Sequence, residues 1–211
     1  MDKKPTSVGV YNGKDVHTGA TYAHGIGAGA YLTYNTRAGE HIVAKVGISY
    51  TSVQNARANL KAEGNISFDE AKTRSHEAWE NMLSRITVET KSEQDMIKFY
   101  TGLYHALLGR GVCSDVNGAY PKHDGTIGQV PVEGGKPKFR MFNTDAMWGG
   151  QWNLTQLWAM AYPEHLSEFV SSTLRQYKDC GWLADGLANS KFVSGVGTNQ
   201  LPLMIDAAYQ C

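Results

Sequence analysis

The sequence predicts a mixed chain in which short β-strands come first and paired helices follow. Three observations carry this. Residues 19–50 consist of glycine-punctuated apolar and aromatic runs without helical period, the spacing turns helical after Thr51, and the later helices succeed one another with polar residues gathered in the loops. At 211 residues, 42% hydrophobic and 19% charged, the chain has room for one good-sized domain or a small domain joined to part of another. Neither value approaches the composition of a disordered or fibrous protein.

The strands are expected in YAHGIGAGAYLTY and HIVAKVGISY. The second alternates, with Ile42, Ala44, Val46 and Ile48 on one face and Val43, Lys45, Gly47 and Ser49 on the other, as a half-buried antiparallel strand does. Two or three strands make no stable sheet alone, so further strands or the helices must cover them. Residues 55–63 then read as a short polar helix. Ser67-Phe-Asp-Glu70 is a capping box that opens a longer helix, whose Trp79, Met82, Leu83 and Ile86 make one apolar face before Thr87-Val88-Glu89 returns to extended chain.

A further helix begins near Ser92, carries Met96, Tyr100, Leu103, Tyr104 and Leu107 in a stripe, and stops at Gly109 or Gly111. Residues 111–145, rich in Gly, Pro and Asp, form a long excursion of the kind that is functional, disordered or conceals a hairpin, and residues 136–142 supply a candidate strand. Helices follow over 151–161, 163–180 and 201–210. The middle one has Pro163 at its start, Gly181 as its stop, and Leu166, Phe169, Val170, Leu174 and Tyr177 on one face. Helices in such succession are expected as hairpins, the unit of bundles and of α/α toroids. The last helix meets Cys211 with no stop signal, so the chain reads as cut there.

Twenty basic residues balance twenty acidic ones, which gives no general attraction for nucleic acid or an anionic membrane and points to an uncharged partner. The opening MDKKPTSVGV lacks the apolar core of a signal peptide, and no run approaches the ~20 apolar residues of a membrane span. Cys113, Cys180 and Cys211 are odd in number and lack CxxC spacing, which favours isolated core thiols over a disulfide framework or a zinc site. The histidines show no HExxH spacing, and His105 beside Tyr104 reads as a packing residue.

Sugar sites set aromatic faces against the ring and short polar side chains against its hydroxyls. Asn143, Asp145, Trp148, Gln151, Trp152 and Asn153 fall together at a loop-to-helix junction, where Gly149-Gly150 permits close backbone approach. Trp152 and Trp158 are also readable as helix core, and that reading is preferred for Trp158, whereas Trp148 stands evenly between core and binding. In Ser114-Asp-Val-Asn-Gly-Ala-Tyr120 the Asp115 and Asn117 oxygens suit an Asx turn, and equally sugar hydroxyls or a calcium ion; the turn is preferred, with Tyr120 the residue expected to touch ligand. Glycoside hydrolysis needs two facing carboxyl groups, and Asp115, Asp145 and Asp206 stand in the most interesting contexts, but none sits in a motif that says acid or base.

Several of these pieces together resemble glycoside hydrolase family 92, calcium-dependent exo-acting α-mannosidases that invert anomeric configuration. The resemblance runs from about residue 29 to 209. It is carried by Val46-Gly-Ile-Ser-Tyr-Thr-Ser52, Asn55-Ala56 with Asn59-Leu60, Ala78-Trp79, Phe99-Tyr-Thr-Gly-Leu-Tyr-His105, Ser114-Asp-Val-Asn-Gly-Ala-Tyr120, Tyr162-Pro163 and Asp206-Ala-Ala-Tyr209. It implies the C-terminal strands of a β-sandwich over residues 1–52, linker helices over 53–91, and over 92–211 the first helical hairpins of an (α/α)6 toroid that continues further. It implies a glycan substrate with terminal mannose, export to the periplasm or medium, and a calcium cofactor whose ligands, like the catalytic acid and base, lie outside this chain. No catalytic residue is carried over.

Two departures fall where the terminal sugar is expected. A family pattern Trp-Asp-Thr-Phe-Arg reads Trp148-Gly-Gly-Gln-Trp152 here, and Gly-Asn-His reads Gly197-Thr-Asn199. The expected substrate contacts are therefore Trp148 stacking on sugar, with Asp145, Gln151, Asn153 and Asn199 on hydroxyls and Tyr120 nearby. A non-catalytic glycan-binding protein is the alternative from a different class, and a scaffold whose aromatics are all core is a third. Oligomeric state is not readable.

Overall fold

The computed structural model describes residues 2–108, 110–144, 147–183, 186–188, 191–192 and 200–210, with the backbone alone for Arg110, Thr144, Trp148, Gln151, Leu187, Ala188 and Phe192. The chain divides into two compact units, Met1–Val46 and Gly47–Cys211.

The first unit is a three-stranded antiparallel sheet. Its strands are β1 (Ser7–Asn12), β2 (Asp15–Thr18) and β3 (Ala28–Thr33), in the order β2-β1-β3. Gly13-Lys14 joins β1 to β2, and Gly13 takes φ 60°, the positive value a two-residue hairpin turn asks of its first central residue. Two tyrosines lie flat over glycines on the opposite strand. In the pairs Gly9↔Tyr31 and Tyr11↔Gly29, a Cβ added to the glycine would come within 2.4 Å and 2.2 Å of the ring. The empty glycine face thus supplies the apolar partner that a cross-strand pair needs.

Residues 19–50 only partly follow expectation. β3 lies inside the first run, but the alternating run over 41–49 forms no strand. Val46 is 77% and Ile48 68% exposed. Alternation separates two faces of an extended chain, but a strand also needs a neighbouring strand to pair with, and among the described residues none pairs with this run. The β1–β2 hairpin lies before residue 19, where no strand was expected, although a Gly-X pair such as Gly13-Lys14 is a hairpin signal.

The second unit opens with α1 (Val53–Glu63), α2 (Phe68–Leu83) and α3 (Glu93–Leu107). Each has a serine N-cap: Ser52, Ser67 and Ser92 accept from the backbone N–H of Asn55, Glu70 and Asp95 at 3.0, 3.1 and 3.2 Å. At α2 the Ser67 half of the capping box forms, while the Glu70 carboxylate turns to Arg74 at 2.5 Å. Ile86 falls beyond α2 yet still packs against the main core with Met82 and Leu83.

The long excursion resolves into antiparallel ladders. β4 (Arg110–Val112) pairs with β9 (Phe142–Thr144); between them β5 (Ala119–Pro121) pairs with β6 (Ile127–Gln129), and β7 (Val132–Glu133) with β8 (Lys136–Pro137). Then come α4 (Leu154–Ala161), α5 (Pro163–Cys180), the short pair β10 (Leu187–Ala188) and β11 (Lys191–Phe192), and α6 (Gln200–Gln210). α5 has the expected limits, with Pro163 at its start and Gly181 at φ 74° as a left-handed stop.

The main core joins Leu103 of α3, Phe142, Met147, Trp158 of α4, Tyr162, Leu166, Phe169 and Val170 of α5, and Leu201 and Met204 of α6. A second cluster of Cys113, Tyr120, Val130 and Met141 sits under the hairpins. Cys113 is the buried thiol expected; Cys180 is exposed, and Cys211 lies outside the described residues.

Candidate functional site

α5 positions the junction. Arg140 is fixed by Glu168 through its backbone N–H at 2.9 Å and its guanidinium at 2.9 and 2.5 Å. Burial alone would push the Glu168 carboxyl up, but the bonds from Arg140 prevail and hold it below its ordinary range. Two residues on, Phe142 donates its N–H to Ser172 at 2.9 Å and accepts from the Gln176 amide at 3.0 Å. The chain then sinks Met147 fully into the core and rises through a 3-10 turn over Trp148–Trp152 into α4.

The two glycines of that turn differ. Gly150 packs on the methyls of Met147 and Met204, each 3.4 Å from where a Cβ would stand, and its carbonyl accepts from Thr155 at 3.2 Å. Gly149 faces open space. Asn153, with φ 131°, turns the chain from the 3-10 turn into α4, in a region L-residues rarely occupy. Trp152 beside it is 67% exposed. An exposed indole next to an exposed amide on a rigidly held turn can stack on the apolar face of a ring and bond its hydroxyls.

Of the expected sugar contacts, Trp148 and Gln151 have their backbone in this turn, Asn153 is exposed at its end, and Asp145 and Asn199 lie outside the described residues. Trp158 is core, at 0% exposure with His165 and Phe169 edge-on to it at 4.6 and 5.6 Å. Trp152, readable from the sequence either as core or as part of the cluster, is exposed: it ends the 3-10 turn, outside α4.

Tyr120, expected to touch ligand, is 1% exposed. Its hydroxyl donates to Asp179 and accepts from the Arg175 Nε at 2.6 Å, while Arg175 also pairs with Asp179 at 3.3 Å. Its ring lies over Gly128, where a Cβ would come within 2.3 Å of it, so it has no face to offer a ligand in this conformation. Burial first, then the bond to Asp179, pushes the phenol up to about 12 against the opposing effect of Arg175. His105 is exposed with its ring 5.6 Å from Tyr104.

Asp115 is 5% exposed and held by neutral donors. Its Oδ2 accepts from Ser49 at 3.0 Å, Thr51 at 2.5 Å and Asn55 at 3.0 Å, and its Oδ1 from Asn59 at 2.7 Å. Asn117 donates to Asn55 at 3.1 Å and accepts from the Ala119 N–H at 3.0 Å. The turn reading of this loop therefore holds. A carboxylate surrounded by N–H and O–H donors is a poor calcium ligand, because those protons point where the cation would sit. Asp206 is exposed on α6. Among the described residues no three His, Cys, Asp or Glu side chains converge as a metal site. Nor is any described helix long and apolar enough to cross a membrane.

Antiparallel hairpins lead into paired helices, with an exposed indole and amide where loop meets helix. The sequence model of the glycosyl hydrolase family 92 catalytic domain matches residues 55–210. The chain belongs to that family. A search of curated protein sequences finds no match. Among solved structures, a family GH92 inverting mannosidase from Bacteroides thetaiotaomicron superposes with a TM-score of 0.78 at 20% identity, over 98% of this chain and 27% of its own. A family GH92 α-mannosidase from the same organism gives 0.70 at 20% identity over 90% of this chain and 26% of its own. At such identity the likeness is one of fold, and the chain spans about a quarter of the length of either enzyme.

Proposed function

We propose that this chain is part of a glycoside hydrolase that removes terminal α-linked mannose, or a related sugar, from glycans with inversion at the anomeric carbon. The observation that carries the reading is the family 92 catalytic-domain match across residues 55–210. In this reading the strands of the first unit end a β-sandwich, and the hairpins of the second begin an (α/α)6 toroid. Trp148 and Trp152 supply aromatic faces for the sugar, and Asp145, Gln151, Asn153 and Asn199 bind its hydroxyls. Tyr120 supports the β5–β6 hairpin.

An inverting glycosidase sets its acid and base about 6.5–9.5 Å apart, with the attacking water between them. Both carboxyl groups and the family's calcium site belong to parts of the enzyme outside the described residues. What this chain contributes is orientation: a stacked, hydrogen-bonded ring presents one face of its anomeric carbon to the water. Export fits a glycan substrate.

A second reading is a glycan-binding protein without catalysis. It is favoured by Trp148-Gly-Gly-Gln-Trp152, which puts an open glycine and an exposed indole where the resembled pattern has Asp and Arg. The intact natural protein decides between them. Followed by proton NMR from the first turnover on an α-mannoside, with calcium, the glycosidase releases the β-anomer first and loses this activity to a chelator. Binding of the mannoside with no free sugar after prolonged incubation supports the second reading and sinks the first.

A further inference from the structure

The residues that begin the second unit, 47–52, have no regular secondary structure, yet they are held more tightly than their texture suggests. Gly47 lies against α1 so closely that a Cβ on it would come 2.3 Å from the Ala56 carbonyl oxygen and 2.7 Å from the Leu60 Cβ. The Ile48 carbonyl accepts from Asn59 at 2.8 Å. Ser49 and Thr51 both donate to the Asp115 carboxylate, from the far side of the sequence. Asn55 and Asn59 of α1 donate to the same group, and the Asn59 carbonyl oxygen in turn accepts the Val116 N–H at 3.0 Å. Every side-chain donor to this buried anion is neutral, and no lysine or arginine pairs with it among the described contacts.

We infer that Asp115 is a latch. It fastens residues 47–52 as a strap across α1 and the 114–120 turn, and so fixes where the chain enters the second unit. One carboxylate accepts from four side chains of residues 49–59, far from it in sequence, so removing it takes an acceptor from all four at once. The strap then has only its contact with α1, and an unpaired loop opens at little cost. Gly47 is the second fastening: a side chain there must lift the strap off α1 even with Asp115 intact. Phe142, Trp158 and Phe169 take no part in the network, so the α4–α6 core is expected to survive either change.

The test is amide hydrogen exchange by mass spectrometry on the intact natural protein and its variants. For Asp115→Ala, peptides covering residues 47–60 and 114–119 should exchange at least about tenfold faster, while peptides from α4 and α5 stay within about twofold of the parent. Formate in excess should restore protection in part, because it refills a cage of preformed donors. Gly47→Ala should speed exchange over residues 47–52 alone. Equal acceleration across α4 and α5 in Asp115→Ala would overturn the latch, since Asp115 would then support the whole unit. Unchanged exchange over 47–60 would overturn it as well. Should Asp115→Ala not accumulate, Thr51→Val removes one donor and leaves the anion; the same regional pattern at a smaller ratio supports the latch, and a uniform one refutes it.

Discussion

A phenol sealed between a carboxylate and a guanidinium gives up its proton late. Tyr120 is raised from 10.0 to about 12, by burial first and then by its bond to Asp179. Between these values the unfolded chain has lost the proton and the native one still holds it, so the native state binds more protons and stability falls as pH rises through this window. Below pH 10 the contribution is fully present. Tyr120→Phe keeps the ring over Gly128 and removes the hydroxyl, leaving Asp179 with Arg175 alone. At neutral pH it is expected to cost about 1–2 kcal/mol, since the lost bonds were to charged groups. Thermal melts from pH 8 to 12 should show a shallower fall in Tm above pH 10 for the variant than for the parent. Parallel curves would mean that the phenol does not set this slope.

At the scale of elements, caps matter most where little is buried. α2 has no fully buried residue, so its start leans on the Ser67 cap, now that Glu70 serves Arg74 and not the cap. Ser67→Ala should cost about 1 kcal/mol, within the usual range for a lost serine cap, read as the midpoint shift in a urea melt. Serine caps, Pro163 and Gly181 act within one turn of chain, and the sequence revealed α5 to the residue for that reason. Strands depend on distant partners: residues 41–49 alternate as a strand should and pair with none, while the ladders of residues 110–144 hid in what reads as loop. The candidate site was legible as a cluster around Trp148–Asn153, but not in its exposure. Trp152 was readable either as core or as part of that cluster, and only the turn at Asn153 puts it outside α4 and in solvent. Ser49, Thr51, Asn55, Asn59, Asp115 and Asn117 come from three separate stretches that carry the family resemblance, and only the fold reveals them as one network.

For the whole molecule the decisive question is whether the junction binds sugar, because the chain spans about a quarter of the enzymes it superposes on and a fold likeness at 20% identity carries no activity with it. Trp152 gives the cleanest access. At 67% exposure it contributes little to packing, so Trp152→Ala should leave stability within about 0.5 kcal/mol of the parent. Loss of a stacked indole should nonetheless weaken a mannoside by about tenfold in Kd, or ~1.4 kcal/mol. Trp158→Ala is the opposite case: a fully buried indole whose removal should cost about 3–5 kcal/mol and report only on the core. Calorimetric titration of an α-mannoside into the intact protein and Trp152→Ala, paired with thermal melts, separates the two effects. A tenfold weaker Kd at unchanged Tm places the indole in the sugar site. Equal affinity at unchanged Tm removes it from that site, and the aromatic platform must then rest on Trp148 alone.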